Sequence, residues 1–265
     1  MFMRFLKPAE ITALFLSFLY LLAVLLKDAS FISAEVIRFV LLTVSFVVPT
    51  AVFLKFQKQK IQWDNILITL LLLLLMADPS VPLLLTVALG LVTFIFKIFI
   101  RMQRHPIFNP AAISLSILYF FGLTTTWWGV SFSPRFFDIG ISSAMLFTLP
   151  LGIYIIKKYQ KVPTLVATVL SFIIFSFFFQ GVVPVQILLE GTFAFFLLIM
   201  ATEPKTTPVV DAQEWVYGIA LGLSLVVWFT YKLPLPYLLN LLILNVFFSV
   251  YKFVQLKMIT RDRLA

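Results

Sequence analysis

The chain has 265 residues, 62% of them hydrophobic and only 12% charged, with a formal net charge of +9. A soluble domain of this length needs roughly twice that charge to cover its surface, which excludes a soluble enzyme or binding module. With no cysteine and one histidine, it can hold neither a thiolate-bound iron–sulfur cluster nor a bis-histidine haem.

Apolar runs of about 20 residues, the length that spans bilayer hydrocarbon, recur from end to end. The sequence therefore reads as an all-α integral membrane protein, one membrane domain over residues 1–265 with the lipid bilayer as its first partner. Ten spans are expected, over residues 10–26, 32–54, 64–77, 81–100, 109–123, 139–156, 163–180, 183–200, 215–231 and 235–253. The first lacks a small-residue cleavage site and is followed by more spans, so it reads as a span and not as a removable signal.

The third span is almost pure leucine and ends at Asp78-Pro79, where proline and the residue before it both resist helix. Ahead of the fifth stands "RMQRHPIFNPAA", residues 101–112. Asparagine suits a helix N-cap and proline the first helical position, so Asn109-Pro110 reads as a helix start. Facing a cavity, such a start also attracts anions. A water channel needs two boxes of this kind on half-helices; this chain has one, with a full span expected after it. His105, between Arg104 and Pro106, reads as a polar residue at the membrane interface. Trp127-Trp128, past the fifth span, reads as an interface belt.

The eighth span holds Glu190 about seven residues in, roughly 10 Å from its outer end at helical rise. A carboxyl in hydrocarbon either stays protonated or finds a partner, which makes Glu190 a candidate for ion coupling. Glu203 ends the same span, with hydroxyls at Thr202, Thr206 and Thr207 around it. The loop from Thr202 to Glu214 sets Glu203, Asp211 and Glu214 against Lys205 and reads as a place for a partner to dock. No metal-ligand cluster is legible.

Charge sets the orientation. With the N-terminus in the cytoplasm, the outer side keeps only Lys27, Arg38, Arg135 and Lys232 of the 20 basic residues. Both termini are then cytoplasmic. The basic residues lie beside spans, where topology needs them, and nucleic acid is not expected as a partner.

The halves look related. "LLLLLMADPSVP" ends span three and "FFLLIMATEPKTTP" ends span eight; "LTVALGLVTF" and "YGIALGLSLV" follow them. Five spans per half make residues 1–123 and 139–265 an inverted repeat, the plan of many secondary transporters. Asp78 and Glu203 end equivalent spans, where each could cap exposed groups or coordinate a cation or a cofactor hydroxyl; Asp78 joins Glu190 as an ion-coupling candidate.

The segments "QRHPIFNPAA" and "IMATEPKTTPVVDAQEWVYGIALGLSLVVW" resemble the family of membrane subunits shared by the Rnf electron-transport complex and the sodium-pumping NADH:quinone reductase. In that family a phenylalanine-asparagine-proline-alanine box opens span five and an Ala-Thr-Asp-Pro segment ends span eight. Here Glu203 stands where the aspartate is usual. The resemblance implies a membrane component of a complex coupling electron flow to Na⁺ or H⁺ movement, in a bacterial or archaeal cytoplasmic membrane. Its partners would be the other components of that complex, a flavoprotein reductase among them, and any enzyme activity would be that of an NADH- or ferredoxin-dependent complex. The family carries a flavin mononucleotide on a threonine of a Ser-X-Ala-Thr segment between spans five and six. This chain has "GLTTTWWGVSFSPRFFDIG" there, so Thr124, Thr125 and Thr126 lie in the right region without the motif and no covalent flavin is expected. A non-covalent flavin, FMN or riboflavin, or a quinone is expected instead, with His105, Asn109, Thr202 and Glu203 as candidate contacts. The alternative is an inverted-repeat transporter of ions or small solutes without redox activity.

Overall fold

The computed structural model describes residues 6–25, 27, 29–102, 105–130, 135–136, 141–204, 206–208 and 210–262. Helix lies in every one of the ten apolar runs. The helices are α1 (Pro8–Leu25), α2 (Ala29–Leu42), α3 (Val48–Phe56), α4 (Trp63–Met76), α5 (Leu83–Ile98), α6 (Pro110–Tyr119), α7 (Ser143–Tyr159), α8 (Val162–Gln180), α9 (Val185–Leu188), α10 (Gly191–Phe195), α11 (Asp211–Thr230) and α12 (Pro236–Asp262). A π-helical turn, Thr43–Val47, joins α2 to α3, and a second, Phe196–Met200, extends α10. Four of these rods are long and apolar enough to cross a membrane: Pro8–Leu25, Ala29–Phe56, Val162–Gln180 and Asp211–Thr230. Shorter apolar helices include Trp63–Met76, Pro110–Tyr119 and Gly191–Met200.

Two details differ from an all-α expectation. Residues Arg101–Met102 pair with His105–Pro106, and Arg135–Phe136 with Ile141–Ser142, as two-residue antiparallel ladders β1-β2 and β3-β4. The expected eighth span is also not one helix: α9 stops at Leu188, Glu190 is extended, and helix resumes at Gly191.

Each half packs by the same rule. In the first, α1 lies on α4, while α2 with its π turn lies on α5; in the second, α7 lies on α10 and α8 on α11. The leucine run is explained by this arrangement. Leu70 to Met76 are all buried, as are Phe193 to Met200, so the short third helix of each half is enclosed by protein. A helix apolar on every side belongs in such a core.

Where the second and fourth helices cross, a glycine meets a serine in both halves. Gly90 abuts Ser45 at the π turn, and a Cβ added to it would stand 2.8 Å from the Ser45 Cβ. Gly222 abuts Ser171, and a Cβ there would stand 2.6 Å from the Thr168 carbonyl oxygen. Both serine hydroxyls donate to the carbonyl four residues back, at 2.7 Å to Leu41 and 2.6 Å to Ala167, so their polar tips are satisfied inside the contact. Small residues at crossings let apolar helices approach closely where no hydrophobic drive joins them. The two glycines are those of the matching "ALGL" segments.

Candidate functional site

The short helix α6 is about 15 Å long at helical rise; one acid is bonded to its start and another to the segment that follows its end. At its start Asn109 is the N-cap, its Oδ1 accepting from the amides of Ala111 (3.0 Å) and Ala112 (3.1 Å). Pro110 follows, with no N–H to leave unpaired. The Asn109 Nδ2 donates to Glu203 Oε2 at 2.8 Å across 94 residues of sequence. The carboxylate is thus held at the positive end of the α6 dipole. Its own loop is tightly wound: Thr207 donates both its amide (3.2 Å) and its hydroxyl (2.7 Å) to the Glu203 carbonyl, and Thr202 donates to Leu198 O at 3.0 Å.

Beyond the other end of α6, Thr124 donates its hydroxyl to Asp78 Oδ2 at 3.2 Å and accepts the Asp78 amide at 3.0 Å. Ser80 donates to Asp78 Oδ1 from its amide (2.8 Å) and its hydroxyl (2.6 Å). Burial pulls the Asp78 carboxyl upward, but the Ser80 and Thr124 bonds and the Arg38 charge together hold it below the usual carboxylate range. The acids that follow the two short apolar helices are thus bound one at the start of α6 and the other in the segment beyond its end.

The segment carrying Thr124 also completes the end of α4. A helix leaves its last carbonyls without intrahelical partners. Here Leu74 O accepts from Trp128 Nε1 (2.6 Å), Leu75 O from the Gly129 amide (3.1 Å) and Met76 O from the Trp127 amide (3.2 Å). Ala77 O accepts from Arg38 Nη2 at 3.3 Å. Trp127 and Trp128 are thus buried, not an interface belt. The need to satisfy a buried helix end draws them inward. Arg38 is likewise no peripheral cation: it is buried in α2 and paired with Glu35, which also accepts from Tyr20 at 3.3 Å.

A second buried ion pair anchors the Glu203 loop. Lys161 Nζ donates to Glu214 Oε1 at 2.7 Å and to the Pro208 carbonyl. Glu214 is therefore committed to the interior, not displayed on the loop where the sequence places it. Lys205, expected on the same loop, lies outside the described residues. Neither ion pair is among the sequence-based expectations. The Glu35 and Arg38 spacing, one helical turn apart in apolar sequence, is the signal that finds the first; Lys161 and Glu214 are too far apart in sequence to leave one.

Glu190 is placed differently from the expectation. It is exposed at the N-cap of α10 and not inside a continuous span, because the chain unwinds ahead of Gly191. His105 is placed by its backbone alone, in β2, and its side chain lies outside the described residues. The structure thus joins Asn109 to Glu203 and sets Thr202 in the same loop. Asp78 is with Thr124, and Thr125 forms an isolated β-bridge with Ala77.

The clasp is closed. Both ends of the Asn109 amide are engaged, and the Thr202 and Thr207 hydroxyls serve backbone carbonyls. Of the loop's hydroxyls, that of Thr206 is buried without a partner among the described residues. An isoalloxazine edge presents several donors and acceptors, and these residues offer it too few free atoms. As placed, Asn109, Thr202 and Thr207 do not offer a flavin its main contacts, and the His105 side chain lies outside the described residues.

Residues 111–258, from α6 to the last turns of α12, match the sequence model of the NQR2, RnfD, RnfE family. The chain belongs to this family. A comparison with curated proteins gave no match. The family assignment makes the protein a membrane component of the Rnf or sodium-pumping reductase type, with the other subunits of such a complex as partners.

Proposed function

We propose that this chain is a ten-span component of an ion-translocating electron-transport complex, built as two inverted halves with both termini in the cytoplasm. Family membership supports the complex. The observation that carries the inversion is α6 itself, held at its start by Glu203 and beyond its end by Asp78. Two equivalent acids bound at opposite ends of one helix are what two oppositely facing halves would produce. The repeated packing of helices and the paired glycine–serine crossings support the same relation.

In this reading Asp78 and Glu203 mark the two faces of the ion-coupling region, and α6 is the rigid strut between them. A flavin bound without a covalent link, FMN or riboflavin, or a quinone is the carrier it calls for. Because the clasp atoms are engaged with one another, that carrier sits against other groups of the core or is shared with a partner such as a flavoprotein reductase. The complex works in a bacterial or archaeal cytoplasmic membrane.

The absorption spectrum of the purified protein tests the redox part. A flavin band near one equivalent, lost to the supernatant on acid precipitation, is the expected result. A colourless protein that still moves ions or small solutes in liposomes would contradict it and make the chain a transporter. Yellow colour remaining with the acid pellet would instead establish a covalent link, with Thr124, Thr125 and Thr126 as the first candidates to replace.

A further inference from the structure

The ends of α3 and α5 lie together, locked by three rings: Phe53 meets Phe99 at 5.2 Å and Phe94 at 6.3 Å, and Phe94 meets Phe99 at 5.9 Å. Both helix ends carry cations. Lys55 and Lys58 are exposed at the end of α3, and Arg101 follows α5 as a half-buried residue. Arg101 Nε donates to the Lys97 carbonyl at 2.6 Å, which fixes the guanidinium in place. Its terminal Nη1 and Nη2 meet no acceptor among the described residues. Asp64 is the one acid between Glu35 and Asp78 in the sequence, and it forms no ion pair with these cations among the described residues. Beside them Phe56 is 85% and Phe99 55% exposed.

We propose that this corner binds the phosphate of an anionic phospholipid. A guanidinium held through Nε presents its outer edge as a fork that matches two phosphate oxygens. Lys55 and Lys58 add charge without fixed geometry. The exposed rings of Phe56 and Phe99 decide the source: a soluble phosphate has no use for them, whereas a lipid lays its acyl chains along such a surface. Basic pockets at helix ends of membrane proteins recognise anionic headgroups on these terms. The inference stands whichever way the chain is oriented, and apart from any electron-transfer role.

Native mass spectrometry of the purified protein, offered equal phosphatidylglycerol and phosphatidylcholine, tests it. The wild-type protein should retain phosphatidylglycerol in preference. Arg101→Gln should lower that retention about fivefold, the equivalent of ~1 kcal/mol per basic residue near a lipid surface, and leave phosphatidylcholine unchanged. Lys58→Gln, at a fully surface position, should act in the same direction. Equal retention of the two lipids, or an Arg101→Gln protein that keeps its preference, would overturn the proposal. So would displacement of the lipid by millimolar inorganic phosphate, which would assign the fork to a soluble anion.

Discussion

Glu35→Gln should destabilise the detergent-solubilised protein more than the double change Glu35→Gln with Arg38→Met. The pair is buried in α2, so losing the carboxylate leaves a buried guanidinium without its ion-pair partner, near the Ala77 carbonyl and Asp78. Breaking such a pair on one side costs about 3–5 kcal/mol, because the remaining charge keeps its desolvation penalty. Removing both charges takes that penalty away. The double variant still loses the donor to Ala77 O, worth about 1–3 kcal/mol for a buried acceptor left unpaired. Thermal inactivation midpoints should therefore rank wild type first, the double variant second and Glu35→Gln last. A double variant no better than the single one would mean that Arg38 acts through its bond to α4 alone.

Gly222→Ala should also be strongly destabilising, although alanine gains about 1 kcal/mol over glycine in an isolated helix. The added methyl would stand 2.6 Å from the Thr168 carbonyl oxygen and 2.8 Å from the Phe172 amide nitrogen. Both are backbone atoms of α8 and cannot rotate aside, so α8 and α11 must separate along their whole contact. Overpacking of this kind costs about 1–3 kcal/mol or more, beyond the lost propensity gain. Gly90→Ala should be milder. Its nearest obstacle is the Ser45 side chain, with the Ser45 backbone carbon at 3.2 Å, so a rotamer change can relieve part of the clash. Midpoints in the order wild type, Gly90→Ala, Gly222→Ala are expected, and a stabilised Gly222→Ala protein would show that the crossing is looser than described.

Helix placement is legible in the sequence because membrane helices must be apolar over a length that bilayer thickness dictates. The start of α6 is legible for a local reason: asparagine followed by proline has one good use at a helix end. The matching "MADP" and "MATEP" segments also point to the two acids bonded at the start of α6 and beyond its end. What they bond to is hidden. The Asn109–Glu203 bond spans 94 residues and the Thr124–Asp78 bond 46, and composition carries no trace of such pairings. Trp127 and Trp128 mislead because tryptophan beside a span serves equally as a belt residue or as a donor to a buried helix end. Nothing in the local sequence separates those uses; the unpaired carbonyls of α4, about fifty residues earlier, do. Glu190 misleads because the hydrophobic run on either side of it continues past the point where the helix breaks.

The inversion of the two halves is the claim on which the functional reading turns, and a cysteine-free chain makes it directly measurable. Ser80→Cys places a thiol in the loop that carries Asp78, and Val210→Cys places one at the exposed end of the loop that carries Glu203. A membrane-impermeant maleimide added to intact cells should label Ser80→Cys, and should reach Val210→Cys only after the membrane is opened. Labelling of both positions from the same side would contradict the inverted repeat and the two-faced ion path built on it.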